Sequence, residues 1–136
     1  MKESKIEVTD QLIDPVTQLS FNGCTYPIVL PNADTDYIQK KLHLEGVPYE
    51  LDMLKDMQRR LSEGDFVLDI GANIGNHALF LAVVAKCKVT AFEPNEALCG
   101  SLLKSIELNM LGDRVSVRPV ALGKVQGVGH LSLIHI

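Results

Sequence analysis

The first clear pattern along the chain is a pair of β-favouring stretches joined by a tight turn. Residues 16–21 and 25–30 have the composition of strands, and Asn22-Gly23 lies in the connection between them. Asparagine and glycine tolerate the positive φ angles that a tight hairpin turn requires. The pattern therefore predicts a small β-hairpin.

Helical spacing replaces this pattern after the hairpin. Asp34 is placed to cap a helix that reaches about residue 44, and a second helix is predicted over residues 49–61. In the second helix apolar residues recur every three or four positions, so one face packs inward and the charged face stays in water. We assign residues 1–45 to an amino-terminal extension and residues 46–136 to the main domain.

Beyond Asp65, apolar strands alternate with amphipathic helices. The predicted order is strand, helix, strand, helix, strand, over residues 66–70, 78–85, 88–92, 95–111 and 115–120. A continuous apolar run such as the first is typical of a strand buried on both faces of a parallel sheet. Because crossovers between parallel strands are right-handed, this order predicts an α/β domain with a Rossmann-like sheet. The last residues, 130–136, have the composition of one further strand.

Composition and charge exclude several classes of protein. A chain of 136 residues with 46% hydrophobic content suits one core, and its net charge of -4 is dispersed, without the basic patch of a nucleic-acid or membrane-surface protein. The three cysteines lack the spacing of a zinc site or a disulfide framework. There is no signal-peptide pattern and no apolar run long enough to cross a bilayer. We therefore expect a cytoplasmic protein without a metal site, nucleic-acid partner or membrane insertion.

The candidate chemistry begins where the first core strand meets its helix, in Asp69-Ile70-Gly71-Ala72-Asn73-Ile74-Gly75. Gly71 allows a sharp turn at the strand end, and Gly75 removes a Cβ where a cofactor or the sheet approaches the helix. Free N–H groups at the helix start favour a carboxylate, and Asp69 offers an acceptor to an ammonium group. These two needs match the amino-acid moiety of S-adenosylmethionine.

A second acid, Glu93, stands at the end of the next strand. In nucleoside-binding Rossmann units an acid at this place accepts hydrogen bonds from the ribose hydroxyls. Pro94 is expected to direct the carboxylate into the crevice, and adenine is expected to lie against Ala121 after the third strand. The sequence thus predicts that Asp69 and Glu93 share one cleft around an adenosyl amino acid.

Four stretches, taken in order and spacing, closely resemble the FkbM family of S-adenosylmethionine-dependent methyltransferases. They are DIGANIGNH from Asp69, AFEPN from Ala91, LNMLGDRV from Leu108 and VALG from Val120. The resemblance implies a class I methyltransferase fold and methyl transfer to a hydroxyl oxygen. The implied acceptors are sugars, glycan chains or other small molecules such as secondary metabolites.

The resemblance also assigns roles to individual residues. The residues implied to form the glycine-rich cofactor loop are Asp69, Gly71, Asn73 and Gly75, with Glu93 as the ribose acid. Tyr49-Glu50 matches an aromatic–acid pair that precedes the motif and closes over the cofactor, although Glu50 also suits an ordinary helix start.

Other interpretations stay open. A noncatalytic nucleoside-binding or protein-interaction module would use the same cleft or an exposed sheet edge. An NAD-dependent oxidoreductase fragment fits less well, because its loop requires glycine where Asn73 stands. No catalytic base is identified: His77, at the helix start, is more consistent with a capping or packing role. The acceptor and the oligomeric state are likewise not predicted.

The number of core strands predicts an incomplete domain. A class I methyltransferase fold has seven strands and needs roughly 200 residues or more, whereas three core strands are recognised here. We therefore expect a truncated enzyme that is inactive alone, with an unpaired apolar edge where a fourth strand would pair. The stretch 131–136 fills that place, begins a hairpin or is not native sequence.

Overall fold

A computed structural model describes residues 14–129 of the chain. It begins with the predicted hairpin, formed by β1 (Val16–Phe21) and β2 (Cys24–Val29) in antiparallel register. Asn22 and Gly23 have φ angles of 48° and 80°. Two consecutive positive φ angles are what a two-residue hairpin turn requires. The hairpin prediction is therefore confirmed.

Two helices follow, α1 (Tyr37–Glu45) and α2 (Leu51–Arg60). The side chain of Asp36 accepts a hydrogen bond from the Gln39 N–H and caps α1. Asp34, the predicted cap, lies in the preceding turn, because the helix starts later than its sequence pattern indicates.

The remaining elements form a parallel sheet with helical crossovers, in the order β3 (Phe66–Ile70), α3 (Asn76–Val83), β4 (Lys88–Phe92), α4 (Glu96–Leu108) and β5 (Val115–Arg118). The strands lie side by side as β3-β4-β5. This arrangement confirms the predicted α/β sheet. β5 ends earlier than predicted, because Pro119 has no N–H to extend the strand ladder.

One core joins the hairpin to the helices and the sheet. Phe21 of the hairpin meets Phe80 of α3 edge-on, with ring centroids 5.2 Å apart. The Val29 N–H donates a 2.8 Å hydrogen bond to the Ser105 hydroxyl of α4. The hairpin thus packs against α3 and α4. The division of the chain at residues 45 and 46 stays a prediction.

One face and one edge of the sheet are uncovered in the part of the chain that the structure describes. Phe66, Leu68 and Ile70 alternate along β3 and are 82%, 63% and 61% exposed. β3 pairs with β4 on one side only among residues 14–129. The prediction that β3 is buried on both faces is wrong for this structure, because α3 and α4 cover the other face alone. We call the row formed by Phe66, Leu68 and Ile70 the open face. Segment 130–136, expected to add a strand or a hairpin, lies outside the described residues.

Candidate functional site

The glycine loop turns sharply at the carboxyl end of β3. Its left-handed residues are Gly71, Asn73 and Gly75, with φ angles of 78°, 57° and 99°. The N–H groups of Gly71 and Ala72 both donate to the Phe92 carbonyl, at 2.8 and 3.0 Å. The loop is thereby fastened to the end of β4, where the predicted second acid follows.

Asn73 suits its left-handed position better than most residues that carry a Cβ. Its Oδ1 accepts a 2.8 Å hydrogen bond from the Ile74 N–H, which stabilises the turn locally. Its own N–H donates to Glu93 Oε1, also at 2.8 Å. Asn73 therefore links the glycine loop to the acid of the neighbouring strand.

Glu93 is a buried brace between two loops. Its carboxylate accepts from the Asn73 N–H through Oε1 and from the Asn95 N–H through Oε2, each at 2.8 Å, and the residue is 6% exposed. Each carboxylate oxygen has a further acceptor site for a ligand hydroxyl. The sequence placed Glu93 at this strand tip but did not predict its two main-chain bonds.

Asp69 lies near Glu93, and one of its carboxylate oxygens is unpaired among the described residues. Within residues 14–129 its Oδ2 is buried and has no hydrogen-bond partner. Burial raises the pKa of the Asp69 carboxyl, an effect that nearby His77 partly offsets and Glu93 reinforces. A buried, unpaired carboxylate oxygen is unfavourable in the free protein and suited to a cationic ligand group.

We expect Asp69→Asn to stabilise the free chain while weakening ligand binding. A carboxyl whose pKa is higher folded than unfolded lowers stability at neutral pH, and that penalty is lifted as the pH falls through the raised value. The asparagine has no charge to bury, so its urea midpoint at pH 7 should exceed that of the wild type and the difference should shrink in acid. Binding of S-adenosylhomocysteine, whose ammonium would meet Oδ2, should weaken by about 1.5–3 kcal/mol.

The matched control for this prediction is Asp113→Asn, at an exposed aspartate between α4 and β5. The urea midpoint of this variant should match that of the wild type both at pH 7 and in acid, and its affinity for S-adenosylhomocysteine should be unchanged. An Asp69→Asn chain that is less stable than the wild type at pH 7 would contradict the burial argument.

Gly75 is required for a reason that the sequence did not predict. A Cβ built on it would stand 2.4 Å from Leu102 Cδ1 and 3.5 Å from Leu79 Cγ. Among protein atoms the close neighbour is the side chain of Leu102 in α4 rather than the sheet, and the expected approach of a cofactor stays a prediction. A Cβ added to Gly71, by contrast, would have no atom within 4 Å, so the positive φ of Gly71 is what requires glycine there.

The turn between α1 and α2 lies next to the glycine loop and the start of α3. Asn76 accepts a hydrogen bond from the Tyr49 N–H and donates one to the Tyr49 carbonyl, both 2.8 Å long. Glu50 Oε1 lies 3.0 Å from His77 Nε2. The structure thus brings Glu50 to the glycine loop, and its contact with the cofactor stays a prediction. It also pairs His77 with an acid rather than packing it in the core, and sequence reasoning missed Asn76.

Two clefts lie near Glu93, but neither Glu93 nor Asp69 is among the residues that line them, so a single cleft shared by the two acids stays a prediction. The loop cleft, of about 170 Å³, is lined by Ile38, Tyr49, Glu50, Gly71, Ala72, Asn73, Ile74, Asn76 and His77. The strand-end cleft, of about 350 Å³, is lined by Pro94, Pro119, Val120, Ala121, Gly127, Val128 and Gly129. The predicted adenine contact, Ala121, therefore lies in a different cleft from Glu50, and Glu93 stands between the two. In residues 14–129 no cluster of side chains is suited to hold a metal ion, and no helix is long and apolar enough to cross a bilayer.

Comparison with solved structures identifies the fold. A transferase from Pyrococcus horikoshii and P. horikoshii TYW2 in complex with MeSAdo each align with a TM-score of 0.57 and 28% identity, covering 80% of this chain and 37% of their own. The tRNA m1G37 methyltransferase of M. jannaschii aligns with a TM-score of 0.52 and 21% identity, covering 76% of this chain and 28% of its own. No family model and no curated protein matches the chain.

The fold prediction is confirmed: the chain has the Rossmann-like fold of class I methyltransferases. It spans 37% or less of the length of these three neighbours, so it corresponds to part of such a fold. The finer assignment to the FkbM family stays a prediction, since no family model matches.

Proposed function

We propose that this chain is the cofactor-binding part of an S-adenosylmethionine-dependent methyltransferase. The observation that carries the proposal is the pair of acids at adjacent strand tips: Asp69, with its buried unpaired Oδ2, and Glu93, which braces the glycine loop. A related structure with 28% identity supports it, because P. horikoshii TYW2 was crystallised with MeSAdo.

The residues present fit this cofactor. In the proposal Asp69 accepts from the ligand ammonium, Glu93 accepts from the ribose hydroxyls, and Ala121 contacts adenine in the strand-end cleft. Gly71, Asn73 and Gly75 form the cofactor loop through their left-handed backbone, and Glu50 lines the far wall of the loop cleft. When bound, S-adenosylmethionine supplies a methyl group on a sulfonium centre, and the protein's task is to align donor and acceptor and to exclude water.

We further propose that the acceptor is a hydroxyl of a saccharide or secondary metabolite, as the resemblance to the FkbM family implies. The dispersed acidic charge of -4 supports a small-molecule or glycan acceptor over a nucleic acid. A cytoplasmic location is part of the same proposal. Neighbouring structures include a tRNA methyltransferase, so tRNA belongs among the acceptors to be tested.

A noncatalytic binding or interaction module is the second candidate. The open face of β3, with Phe66 82% exposed, favours it, because a row of apolar side chains beside an unpaired edge is suited to contact another protein surface. Both candidates bind the cofactor, so binding alone does not separate them, and methyl transfer by the chain would favour the methyltransferase.

Calorimetric titration of the purified chain with S-adenosylhomocysteine tests the proposal. We expect saturable binding with one site and a dissociation constant of roughly micromolar size, and none with NAD or NADH. Binding of a dinucleotide in place of S-adenosylhomocysteine would support the oxidoreductase alternative and remove the proposal. If the chain is inactive alone, as expected, radiolabelled S-adenosylmethionine should transfer no methyl group to saccharides, small alcohols or tRNA; transfer to one of them would identify an acceptor and refute that expectation.

A further inference from the structure

Asn76, the first residue of α3, joins parts of the loop cleft that are distant in sequence. Its side-chain amide accepts from the Tyr49 N–H and donates to the Tyr49 carbonyl, and the residue is 8% exposed. An amide that bonds both main-chain groups of one residue fixes that residue in position and orientation, as a neighbouring strand would. Asn76 therefore clamps the turn between α1 and α2 to the start of α3.

The clamp acts next to a strained residue. Glu50 has φ 58° and ψ 47°, a left-handed conformation that is unfavourable for a side chain of this type. Such a conformation persists only where the surrounding structure holds it, and it is found most often at ligand sites. Tyr49, held by Asn76 on both its main-chain groups, supplies that restraint.

In this conformation Glu50 contacts His77 on the wall of the loop cleft. Glu50 Oε1 lies 3.0 Å from His77 Nε2, and both side chains line the cleft with Gly71 and Asn73. A carboxylate only accepts hydrogen bonds, so Nε2 carries the proton in this contact. The wall of the cleft thus holds a fixed acid and an oriented imidazole.

We propose that Asn76 is a positioning residue for the amino-acid end of the cofactor. By clamping Tyr49 it holds Glu50 against His77 on the wall of the loop cleft, and this arrangement makes the loop cleft select ligands that carry an amino-acid tail over the bare nucleoside. The inference rests on the proposed cofactor site and adds which residues recognise which half of the ligand.

The separation of the two clefts supports this division. Ala121 lines the strand-end cleft and does not line the loop cleft, whereas Glu50, Asn76 and His77 line only the loop cleft. An amino-acid tail carries an ammonium and a carboxylate. Glu50 of the loop cleft matches the first, and the positive end of the α3 helix dipole at Asn76 and His77 matches the second.

Two ligands that differ only in the tail test the inference on the full chain. S-Adenosylhomocysteine has the amino-acid tail, and 5′-methylthioadenosine lacks it. Asn76→Asp keeps the side-chain shape but turns the donor toward the Tyr49 carbonyl into an acceptor, which breaks the clamp. We expect the affinity for S-adenosylhomocysteine to fall by roughly tenfold or more, while that for 5′-methylthioadenosine changes by less than about threefold.

Asn109→Asp is the matched control. Asn109 uses the same side-chain amide to donate to the carbonyls of Pro27 and Ser105, away from both clefts. It should leave the affinities for both ligands within about twofold of the wild type. Equal losses for both ligands in Asn76→Asp would show that Asn76 only maintains the fold, and would overturn the inference.

Glu50→Gln provides a second variant at a more exposed position that folding depends on less. It should show the same selective loss of S-adenosylhomocysteine affinity, and the Glu50→Gln, Asn76→Asp double variant should lose little more than the worse single variant, because both act through one wall. Fully additive losses would overturn the inference. In the free chain, the Tyr49 amide should exchange its hydrogen faster in Asn76→Asp than in the wild type.

The wild-type titrations separate this inference from the proposed function. A wild type that binds 5′-methylthioadenosine as tightly as S-adenosylhomocysteine overturns the inference and leaves a nucleoside site in place. A wild type that binds neither ligand removes the proposed function and the inference with it.

Discussion

Glu93→Ala is expected to cost the chain both stability and cofactor binding. The substitution leaves the N–H groups of Asn73 and Asn95 without their acceptor at a site that is 6% exposed. We expect the free energy of unfolding in urea to fall by about 2–4 kcal/mol. Binding of S-adenosylhomocysteine should weaken at least thirtyfold, or about 2 kcal/mol, because the ribose acceptor and the loop geometry are lost together.

Glu96→Ala is the control for this prediction. Glu96 is an exposed acid in the first turn of α4, and its loss should cost less than about 1 kcal/mol. A Glu93→Ala chain with wild-type stability would show that the two main-chain bonds do not hold the loops. A chain with wild-type affinity would show that Glu93 does not contact the ribose.

Gly75→Ala is expected to destabilise the chain about as strongly as Glu93→Ala. The residue has φ 99°, and its new Cβ would stand 2.4 Å from Leu102 Cδ1. A left-handed alanine costs about 1–2 kcal/mol and overpacking a core about 1–3 kcal/mol. The free energy of unfolding should therefore fall by roughly 2–5 kcal/mol, measured by urea denaturation.

Gly100→Ala, within α4, is the control on the facing helix. No atom lies within 4 Å of its added Cβ, so alanine should stabilise the helix by about 0.5–1 kcal/mol. Leu102→Val shortens the side chain that meets the Gly75 Cβ, so its cost and that of Gly75→Ala should be less than additive in the double variant. If the two losses of stability were fully additive, the strained backbone at position 75 alone, and not the contact with Leu102, would explain the cost of Gly75→Ala.

The strand and helix order could be predicted from the sequence because it depends on local patterns. Asn22-Gly23 indicated its hairpin turn through the conformations that these two residues tolerate. The apolar runs of β3 and β4 and the helical spacing between them indicated the parallel order. Asp69 and Glu93 could be placed because both stand at strand ends, and parallel strands end at one edge of a sheet.

Other features depend on contacts between distant parts of the chain and left no local signal. The Asn76 clamp needs Tyr49, which precedes it by 27 positions. The glycine at position 75 is set by Leu102 on another helix. The exposure of Phe66 depends on what covers the sheet: the continuous apolar run of β3 indicates two buried faces, but it does not say which part of a protein covers the second one.

The position of Glu93 implies a thermodynamic link between the two clefts. One carboxylate is bonded to the main chain at Asn73, which lines the loop cleft, and at Asn95, which follows Pro94 of the strand-end cleft. A molecule that orders one of these loops lowers the entropic cost of ordering the other. Binding linkage is reciprocal, so a nucleoside in one cleft and an amino acid in the other would raise each other's affinity by the same factor.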